Sequence, residues 1–333
     1  MTLEKEPGAM DKQTRREFLR RTALTGGVAA LAPLDASLAQ DAAKEVVAVT
    51  PPAPAVQAEA GPVAMGICRW KGAATSTPED IAAMAKKLTE QAIAALGGMK
   101  RFVTRGAVVW IKPNVSFNRT PRQAANTNPD VVATLARLCL EAGAKKVKIG
   151  DNTCNEAKLC YRNSGVEAAA TAVGAEMVYL DPNRFKEVEL KGSRLASWQL
   201  YPEIIESDLV INVPVVKDHG LATATLCMKN YMGVIGGDRG EWHEDLATRL
   251  CDITAYMKPK LCVIDAVRIQ SANKVKQMNL VAAGTDIVAL DAVGAEVLGH
   301  RPDAVASIVA GQAGGLGQMD YRNKVAFREI DVT

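Results

Sequence analysis

The chain has 333 residues, of which 48% are hydrophobic, and its 40 Lys and Arg residues nearly balance 37 Asp and Glu residues. A formal net charge of +3 gives little attraction for a polyanion, so we expect no nucleic-acid partner. Seven cysteines in a chain of this length exclude a small disulfide-stabilised scaffold. The length permits a large core, in one domain or in two closely packed lobes.

The first 39 residues have the three parts of an export signal. Arg15 and Arg16 stand before an apolar stretch at 23–34, and a run of small residues ends at Ala39. This order predicts a signal peptide over residues 1–39, and the arginine pair selects the twin-arginine (Tat) translocase as the export partner. The apolar stretch is shorter than the roughly 20 residues that span a bilayer. We therefore expect a periplasmic protein, anchored to the membrane only if the signal stays uncleaved.

Residues 40–60 are rich in Ala and Pro and predict a linker, followed by an α/β domain over 61–333. No later segment has the length and apolarity of a membrane span. Strands are predicted at 61–70, 107–111, 146–150, 176–180, 208–214, 260–266 and 279–283. Helices are predicted between and after them at 77–96, 128–143, 165–173, 226–232, 241–257, 286–298 and 303–310. This alternation predicts a mainly parallel sheet with helices on both faces.

Two helix starts carry explicit capping signals. Thr77 precedes Pro78 and is followed three residues later by Asp80, which is the pattern of a capping box. Asn128 stands before Pro129 at the start of the second helix. These signals predict where the first two helices begin.

Polar side chains follow three of the predicted strands, where a strand end that faces a core does not need them. They are Lys112 and Asn114 after the second strand, Asp151 after the third, and, beyond the strand at 208–214, Lys217, His219, Lys229, Asn230, Arg239 and His243. Ligands bind beyond the carboxyl ends of parallel strands, so we expect these groups at one site. Their chemistry favours a small anionic ligand.

Four of these residues are the candidates for chemistry. His219 follows a buried strand directly, which favours an acid/base or ligand role over that of a hydrogen-bonded loop histidine. His243 lies in the first turn of a predicted helix, where a neutral imidazole is favoured, and is a candidate ligand for Ni, Zn or Cu. Lys229 lies in an apolar stretch, which makes it a nucleophile or covalent anchor unless it is exposed. Asp151 is a general base, a metal ligand or the cap of a turn.

The other polar groups are assigned to ligand binding. These are Lys112, Asn114, Lys217, Asn230 and Arg239. For Lys112 a second interpretation stays open, in which the side chain only extends from a strand end to solvent. Asp265 and Asp291 lie in otherwise apolar patterns, which is typical of structural residues.

The cysteines leave one redox hypothesis open. Cys154 and Cys160 share a loop and could form a disulfide after export. Cys139, Cys251 and Cys262 lie in apolar patterns and are expected in the core. No Cys-x-x-Cys pair occurs, so a ferredoxin-type iron–sulfur cluster has no ligand set here.

Several of these segments resemble the family called domain of unknown function 362. The resemblance rests on Ile211-Asn-Val-Pro-Val-Val-Lys-Asp-His-Gly, Thr225-Leu-Cys-Met-Lys-Asn-Tyr-Met-Gly-Val-Ile-Gly-Gly, Trp242-His243, Val263-Ile-Asp-Ala, Ala289-Leu-Asp-Ala-Val, Lys112-Pro-Asn and the Gly150-Asp-Asn turn. It extends over residues 62 to 300. Many members of that family carry an added ferredoxin-type module, which implies a relation to iron–sulfur proteins.

A more distant resemblance is to the nickel-pincer lactate racemases. In those enzymes a histidine is followed by a lysine that anchors the cofactor, then by a Pro-Gly turn and by a histidine that binds nickel. His219, Lys229, the Gly236-Gly237 turn and His243 follow the same order. The residues before Lys229, and Asp151 in place of a second catalytic histidine, depart from the racemases. The resemblance therefore implies a shared scaffold and site location.

The leading hypothesis is an exported enzyme, racemase-like or oxidoreductase-like, that transfers a proton or a hydride on a small hydroxy or oxo acid. Its cofactor stays open, with a divalent metal in a nickel-type site as one candidate. The alternative is a non-catalytic binding, maturation or electron-transfer accessory protein. In that case the lysines only bind an acidic ligand.

Overall fold

Twelve strands are present in the computed structural model of the chain, which describes residues 63–333. They are β1 (Met65–Trp70), β2 (Val108–Pro113), β3 (Lys146–Ile149), β4 (Glu176–Met177), β5 (Lys186–Glu189), β6 (Ser197–Leu200), β7 (Leu209–Val213), β8 (Val215–His219), β9 (Thr223–Thr225), β10 (Leu261–Ser271), β11 (Lys274–Gly284) and β12 (Phe327–Val332). The predicted signal peptide at 1–39 and linker at 40–60 lie outside the described residues.

Ten of these strands form one sheet, in the order β12-β1-β11-β10-β7-β2-β3-β4, with β8 paired to β10 and β9 paired to β8. The pairs of β2 with β3 and β7, of β3 with β4, and of β10 with β7 and β8 are parallel. Antiparallel pairs join β11 to β1 and β10, and β8 to β9. The predicted α/β class with a mainly parallel sheet is therefore confirmed. The described residues belong to one compact unit and not to two lobes.

Helices cover both faces of the sheet, as predicted. They are α1 (Pro78–Ala95), α2 (Pro129–Glu141), α3 (Ala157–Asn163), α4 (Val166–Ala172), α5 (Pro202–Ile205), α6 (Cys227–Asn230), α7 (Leu246–Met257), α8 (Ile287–Leu298), α9 (Ala306–Ala313) and α10 (Tyr321–Lys324). Leu88 of α1 and Leu135 of α2 belong to one apolar core. Leu250 of α7 and Val293 of α8 belong to a second core. Because the central strands are buried on both sides, they appear in the sequence as continuous apolar runs.

Both predicted helix caps are present. The Thr77 hydroxyl accepts a hydrogen bond from the Asp80 backbone N–H at 3.1 Å, and the Asp80 carboxylate accepts one from the Thr77 N–H at 3.3 Å. The Asn128 side chain accepts a hydrogen bond from the Asp130 N–H at 2.8 Å. Each bond satisfies a backbone donor that has no partner inside the helix.

Some predicted boundaries were wrong. The strands expected at 260–266 and 279–283 are parts of the longer hairpin β10–β11, in which the outer part of β11, at 274–278, is exposed and lacks a continuous apolar run. The helix expected at 241–257 starts as a 3₁₀ segment at 239–245. It becomes α-helical only at Leu246, because the backbone of Asp245 at φ −145° and ψ 56° interrupts it.

The order in which the chain adds strands to the sheet reverses between β2 and β7. The chain passes from β2 to β3 and β4 on one side and then returns to β7 on the other side of β2. Such a reversal opens a crevice beyond the carboxyl ends of the strands. Lys112 at the end of β2 is in register with Asn212 of β7. This edge of the sheet is the expected position of a ligand site.

Candidate functional site

A cavity of about 230 Å³ lies at this edge of the sheet. Its lining includes every side chain that the sequence analysis proposed for the site: Lys112, Asn114, Asp151, Lys217, His219, Lys229, Asn230, Arg239 and His243. Phe117, Cys154 and Met232, which the sequence analysis did not assign to the site, also line it. The site residues thus lie together, and their individual roles depend on their hydrogen bonds.

Four buried side chains form what we call the inner wall: Lys112, Asn114, Asp151 and Asn230. The Lys112 ammonium donates to the Asp151 carboxylate at 2.5 Å, to the Asn230 side-chain oxygen at 2.9 Å and to the Pro113 carbonyl at 2.9 Å. An ammonium has three N–H donors, and all three are used. Lys112 therefore has no donor left for a ligand, and its expected binding role becomes a structural one.

The carboxylate oxygens of Asp151 are likewise bonded to protein groups. Its second carboxylate oxygen accepts a hydrogen bond from the Val115 N–H at 2.7 Å. The Tyr161 hydroxyl accepts from the Asp151 backbone N–H at 2.6 Å and donates to its carbonyl at 2.9 Å. Gly233 packs against the ion pair so closely that a Cβ atom would overlap both Asp151 Oδ1 and Lys112 Nζ. Of the roles expected for Asp151, this geometry favours neither a free base nor a metal ligand.

Hydrogen bonds between side-chain amides connect the inner wall to the neighbouring strand β7. The Asn230 side-chain N–H₂ donates to the Lys112 carbonyl at 3.1 Å and to the Asn212 side-chain oxygen at 2.8 Å. The Asn212 side chain in turn donates to the Cys227 carbonyl at 2.8 Å, at the start of α6. Asn212 is a residue that the sequence analysis did not assign to the site. The signal that could have identified it is its position, because it is a polar residue inside the apolar strand β7.

Lys217 connects the inner wall to the rest of the cavity. Its ammonium donates to the Asn114 side-chain oxygen at 2.8 Å and to the Ala125 carbonyl at 2.6 Å, and it lies 4.9 Å from the centre of the Phe117 ring. Burial lowers the pKa of Lys217 to about 7, and the neighbouring Lys229 and Lys112 contribute in the same direction. Lys217 is thus fixed in place while its charge is sensitive to pH near neutrality.

The partly exposed residues His219, Lys229, Arg239 and His243 form what we call the outer wall. The Nδ1 atom of His219 accepts hydrogen bonds from the N–H groups of Leu221 at 3.2 Å and Ala222 at 3.1 Å. Because backbone N–H groups can only donate, the proton of the neutral ring is on Nε2. Burial, followed by the charge of Lys229, lowers the pKa of His219 to about 4. His219 is therefore a neutral N–H donor at pH 7.

His243 has the opposite arrangement. Its Nδ1 atom lies 3.1 Å from the Gly240 carbonyl, which can only accept, so in the neutral ring Nδ1 carries the proton and Nε2 holds a lone pair. The two imidazole rings are nearly parallel, with an angle of 11° and centroids 6.1 Å apart. One cavity therefore holds one imidazole that donates through Nε2 and one that accepts through Nε2.

Lys229 is positioned by the short helix α6. The buried Asp291 carboxylate on α8 accepts hydrogen bonds from the N–H groups of Cys227 at 2.6 Å and Met228 at 3.1 Å, and so caps the start of α6. Asp291 is thus structural, as expected. Among residues 63–333, the only hydrogen-bond partner of the Lys229 ammonium is the Met232 sulfur, at 2.9 Å. Burial lowers its pKa to about 8, and Arg239 and Lys112 add to this effect.

Arg239 is held by carbonyls and not by an acid. Its guanidinium donates to the Asn152 carbonyl at 2.8 Å and to the Thr153 carbonyl at 3.0 Å, in the loop after β3. In the part of the chain from 63 to 333, no carboxylate forms an ion pair with it. The cavity lining contains four Lys and Arg side chains and one carboxylate. This excess of positive charge favours an anionic ligand.

The same lining does not fit a divalent metal held by protein ligands alone. Within residues 63–333, no group of three or more His, Cys, Asp or Glu side chains is arranged to hold a metal ion. The neighbouring lysines would also repel a cation. The metal role that the sequence analysis gave to His243 stays a prediction.

Two cysteines near the cavity differ in exposure. Cys154 is exposed and lines the cavity, whereas Cys160 is buried in α3, and both are free thiols. The Cys160 thiol lies 3.8 Å from the Ser116 carbonyl. Their disulfide and redox role stays a prediction.

Fold and cavity together define an α/β protein with a cation-rich site at the carboxyl ends of parallel strands. A family model described as domain of unknown function (DUF362) matches residues 109–296 and contains the whole site. The match covers more than half of the chain, so the chain belongs to this family, as its motifs predicted.

Two further proteins are similar to this chain. Thylakoid-associated protein sll1697 of Synechocystis sp. is 28% identical over 234 residues, which cover 66% of this chain and 72% of that protein. The lactate racemase apoprotein from Thermoanaerobacterium thermosaccharolyticum has 13% sequence identity and a TM-score of 0.41, over 64% of this chain. The chain spans 54% of the racemase, about half its length. This likeness is too distant to support a mechanism.

Proposed function

We propose that the protein binds a small hydroxy or oxo acid in this cavity and transfers a proton on it. The charge balance is the observation that carries this proposal. The only carboxylate of the lining, Asp151, is paired with Lys112. Lys217, Lys229 and Arg239 have no side-chain anion as a partner in the described part of the chain. A ligand carboxylate would supply the missing negative charge in a partly desolvated site.

The two imidazoles supply the groups for proton transfer. His243 offers a lone pair on Nε2 and is the proposed general base. His219 offers its Nε2–H and, because it stays neutral, can donate a hydrogen bond to the oxygen on which negative charge develops. This assignment moves the base from His219, where the sequence placed it, to His243. The reason is that backbone amides occupy the Nδ1 lone pair of His219.

Exchange of the acidic carbon-bound hydrogen of the ligand tests the proposal. Small 2-hydroxy and 2-oxo acids are incubated with the protein in D₂O, and NMR follows deuterium incorporation at C2 of the hydroxy acids and at C3 of the oxo acids. We expect catalysed exchange in at least one acid, retained in Lys100→Met, which replaces an exposed lysine outside the cavity lining. Exchange that equals the protein-free rate for every acid would reject proton transfer.

A non-catalytic anion-binding function is the second candidate. It is favoured by the hydrogen bonds that Lys112 and Lys217 donate to protein groups, because side chains held in place in this way are typical of a fixed binding site. Saturable binding of an acid by calorimetry, without deuterium exchange, would support this candidate over the enzyme.

Export is the second part of the proposal. The arginine pair supports transport by the Tat translocase, and in residues 63–333 no helix is long and apolar enough to cross a membrane. The name of the Synechocystis relative associates that protein with thylakoids, which supports work at a membrane surface for this chain too. Replacing Arg15 and Arg16 by Lys should retain the protein in the cytoplasmic fraction of a Tat-competent host, whereas Lys12→Arg should not. Equal export of both variants would reject this route.

A further inference from the structure

Three lysines line the cavity, and their amines differ in how many oxygen atoms they contact. Lys112 donates to three oxygens, and Lys217 donates to two. Lys229 donates to no oxygen in the described part of the chain, and its partner there is the thioether of Met232, a weak acceptor. A lysine needs a free nitrogen lone pair for nucleophilic attack. Of the three amines, that of Lys229 is therefore the least constrained by hydrogen bonds.

We propose that Lys229 is a catalytic residue that forms an imine with the carbonyl carbon of a small 2-oxo acid. This inference rests on the proposed function, because it requires that the cavity binds such an acid. It narrows the substrate class from hydroxy and oxo acids to acids with a ketone or aldehyde next to the carboxylate.

The atoms of this step balance without any further reactant. The unprotonated Lys229 amine adds to the carbonyl carbon, and a C–N bond forms while the carbonyl oxygen takes up a proton. The amine nitrogen gives up one proton as the carbinolamine forms. It gives up a second proton as the C–O bond of the carbinolamine breaks, so that the oxygen leaves as one water. Oxo acid and amine thus become imine and water. Once its nitrogen takes up a proton, the imine withdraws electrons more strongly than a ketone, which makes an adjacent C–H more acidic.

The neighbours of Lys229 match the needs of each stage. The Nε2 lone pair of His243 can take the proton that the amine releases, and the Nε2–H of His219 can donate to the carbonyl oxygen. Arg239 and Lys217 supply positive charge for the carboxylate. With its pKa lowered to about 8, Lys229 has roughly 200- to 300-fold more free amine at pH 7 than an ordinary lysine.

Reductive trapping tests this inference directly. The protein is incubated with pyruvate or glyoxylate and cyanoborohydride, and the modified peptide is located by mass spectrometry. We expect labelling at Lys229 at least about tenfold above that of exposed lysines such as Lys100, in line with its larger share of free amine. Labelling spread evenly over the surface lysines would overturn the proposal.

Two variants separate this inference from the proposed function. Lys229→Arg keeps the positive charge but cannot form an imine, so it should still bind lactate in calorimetry and lose the trapped adduct. Lys229→Met should lose the adduct and bind lactate more weakly. Because Lys229 contacts no oxygen, neither change should prevent folding, which thermal melting checks.

The outcomes are distinct. Lactate binding by the wild-type protein without any trapped adduct rejects the imine and leaves the proposed function in place. Absence of both lactate binding and the adduct rejects both. An adduct that persists in Lys229→Arg shows another nucleophile, such as Lys217, and overturns the assignment to Lys229.

Discussion

The inner and outer walls of the cavity each contain a lysine, and the polar groups of the two walls are in opposite states. On the inner wall, the polar atoms of Lys112 and Asp151 are bonded to protein groups and excluded from water. On the outer wall, Lys229 contacts only a sulfur, and the Nε2 atoms of His219 and His243 have no protein partner within residues 63–333. A lysine whose N–H donors are all bonded to protein groups stabilises the fold, whereas a lysine with free donors is available for chemistry. Burial alone does not distinguish the two.

The largest effect should follow from breaking the inner wall. Asp151→Asn leaves the Lys112 ammonium buried without its counter-charge, and loss of one partner of a buried pair costs about 3–5 kcal/mol. We expect the free energy of unfolding in urea at pH 7 to fall by that amount. Asp331→Asn, at an exposed carboxylate, is the matched control. A loss below about 1 kcal/mol would place this pair among ordinary surface ion pairs.

Changes in the outer wall should affect chemistry and not stability. We expect His243→Gln to slow deuterium exchange at least about 100-fold, or about 2.7 kcal/mol, because a general base contributes that much or more. The melting temperature should stay within a few degrees. His300→Gln is the control, since this third histidine lies outside the cavity and contacts Asp218. An unchanged exchange rate in His243→Gln would remove His243 from the mechanism.

Close packing of the inner wall can be tested without changing any charge. In Gly233→Ala the new methyl group would overlap the Lys112–Asp151 pair, and such overpacking costs about 1–3 kcal/mol. Gly220→Ala is the matched control, because a Cβ there meets no atom within 4 Å. Urea denaturation of both variants measures the difference. Equal stabilities would mean that the inner wall tolerates displacement.

The smallest predicted effect is a pH dependence of anion affinity. The pKa values of Lys217 and Lys229 are lowered to about 7 and about 8, so the folded protein loses these positive charges as the pH rises from 7 to 9. Anion affinity should therefore fall over this interval, on the order of tenfold or about 1.4 kcal/mol. Calorimetric titration with lactate at several pH values measures this, and Lys229→Met should flatten the upper part of the curve. Constant affinity would indicate that neither amine titrates in this range.

Local signals in the sequence predicted much of the fold. The capping pattern of Thr77 and Asp80 is read from adjacent residues, and the buried strand β2 is a continuous apolar run. The short strands β5, β6, β8 and β9 were not predicted, because their pairing depends on partners that the sequence does not reveal. The exposed outer part of β11, at 274–278, was also missed, because it lacks a continuous apolar run.

The sequence by itself determined the family, the α/β class and which polar residues gather at one edge of the sheet, because apolar periodicity and polar strand ends are local properties. Only the tertiary structure decided what each residue does there. Lys112 was expected to bind a ligand, but its donors are used by Asp151, Asn230 and Pro113. The proton positions on His219 and His243 depend on backbone groups of the loops around them. Hydrogen-bond partners set charge, tautomer and reactivity, and they are fixed only when the chain has folded.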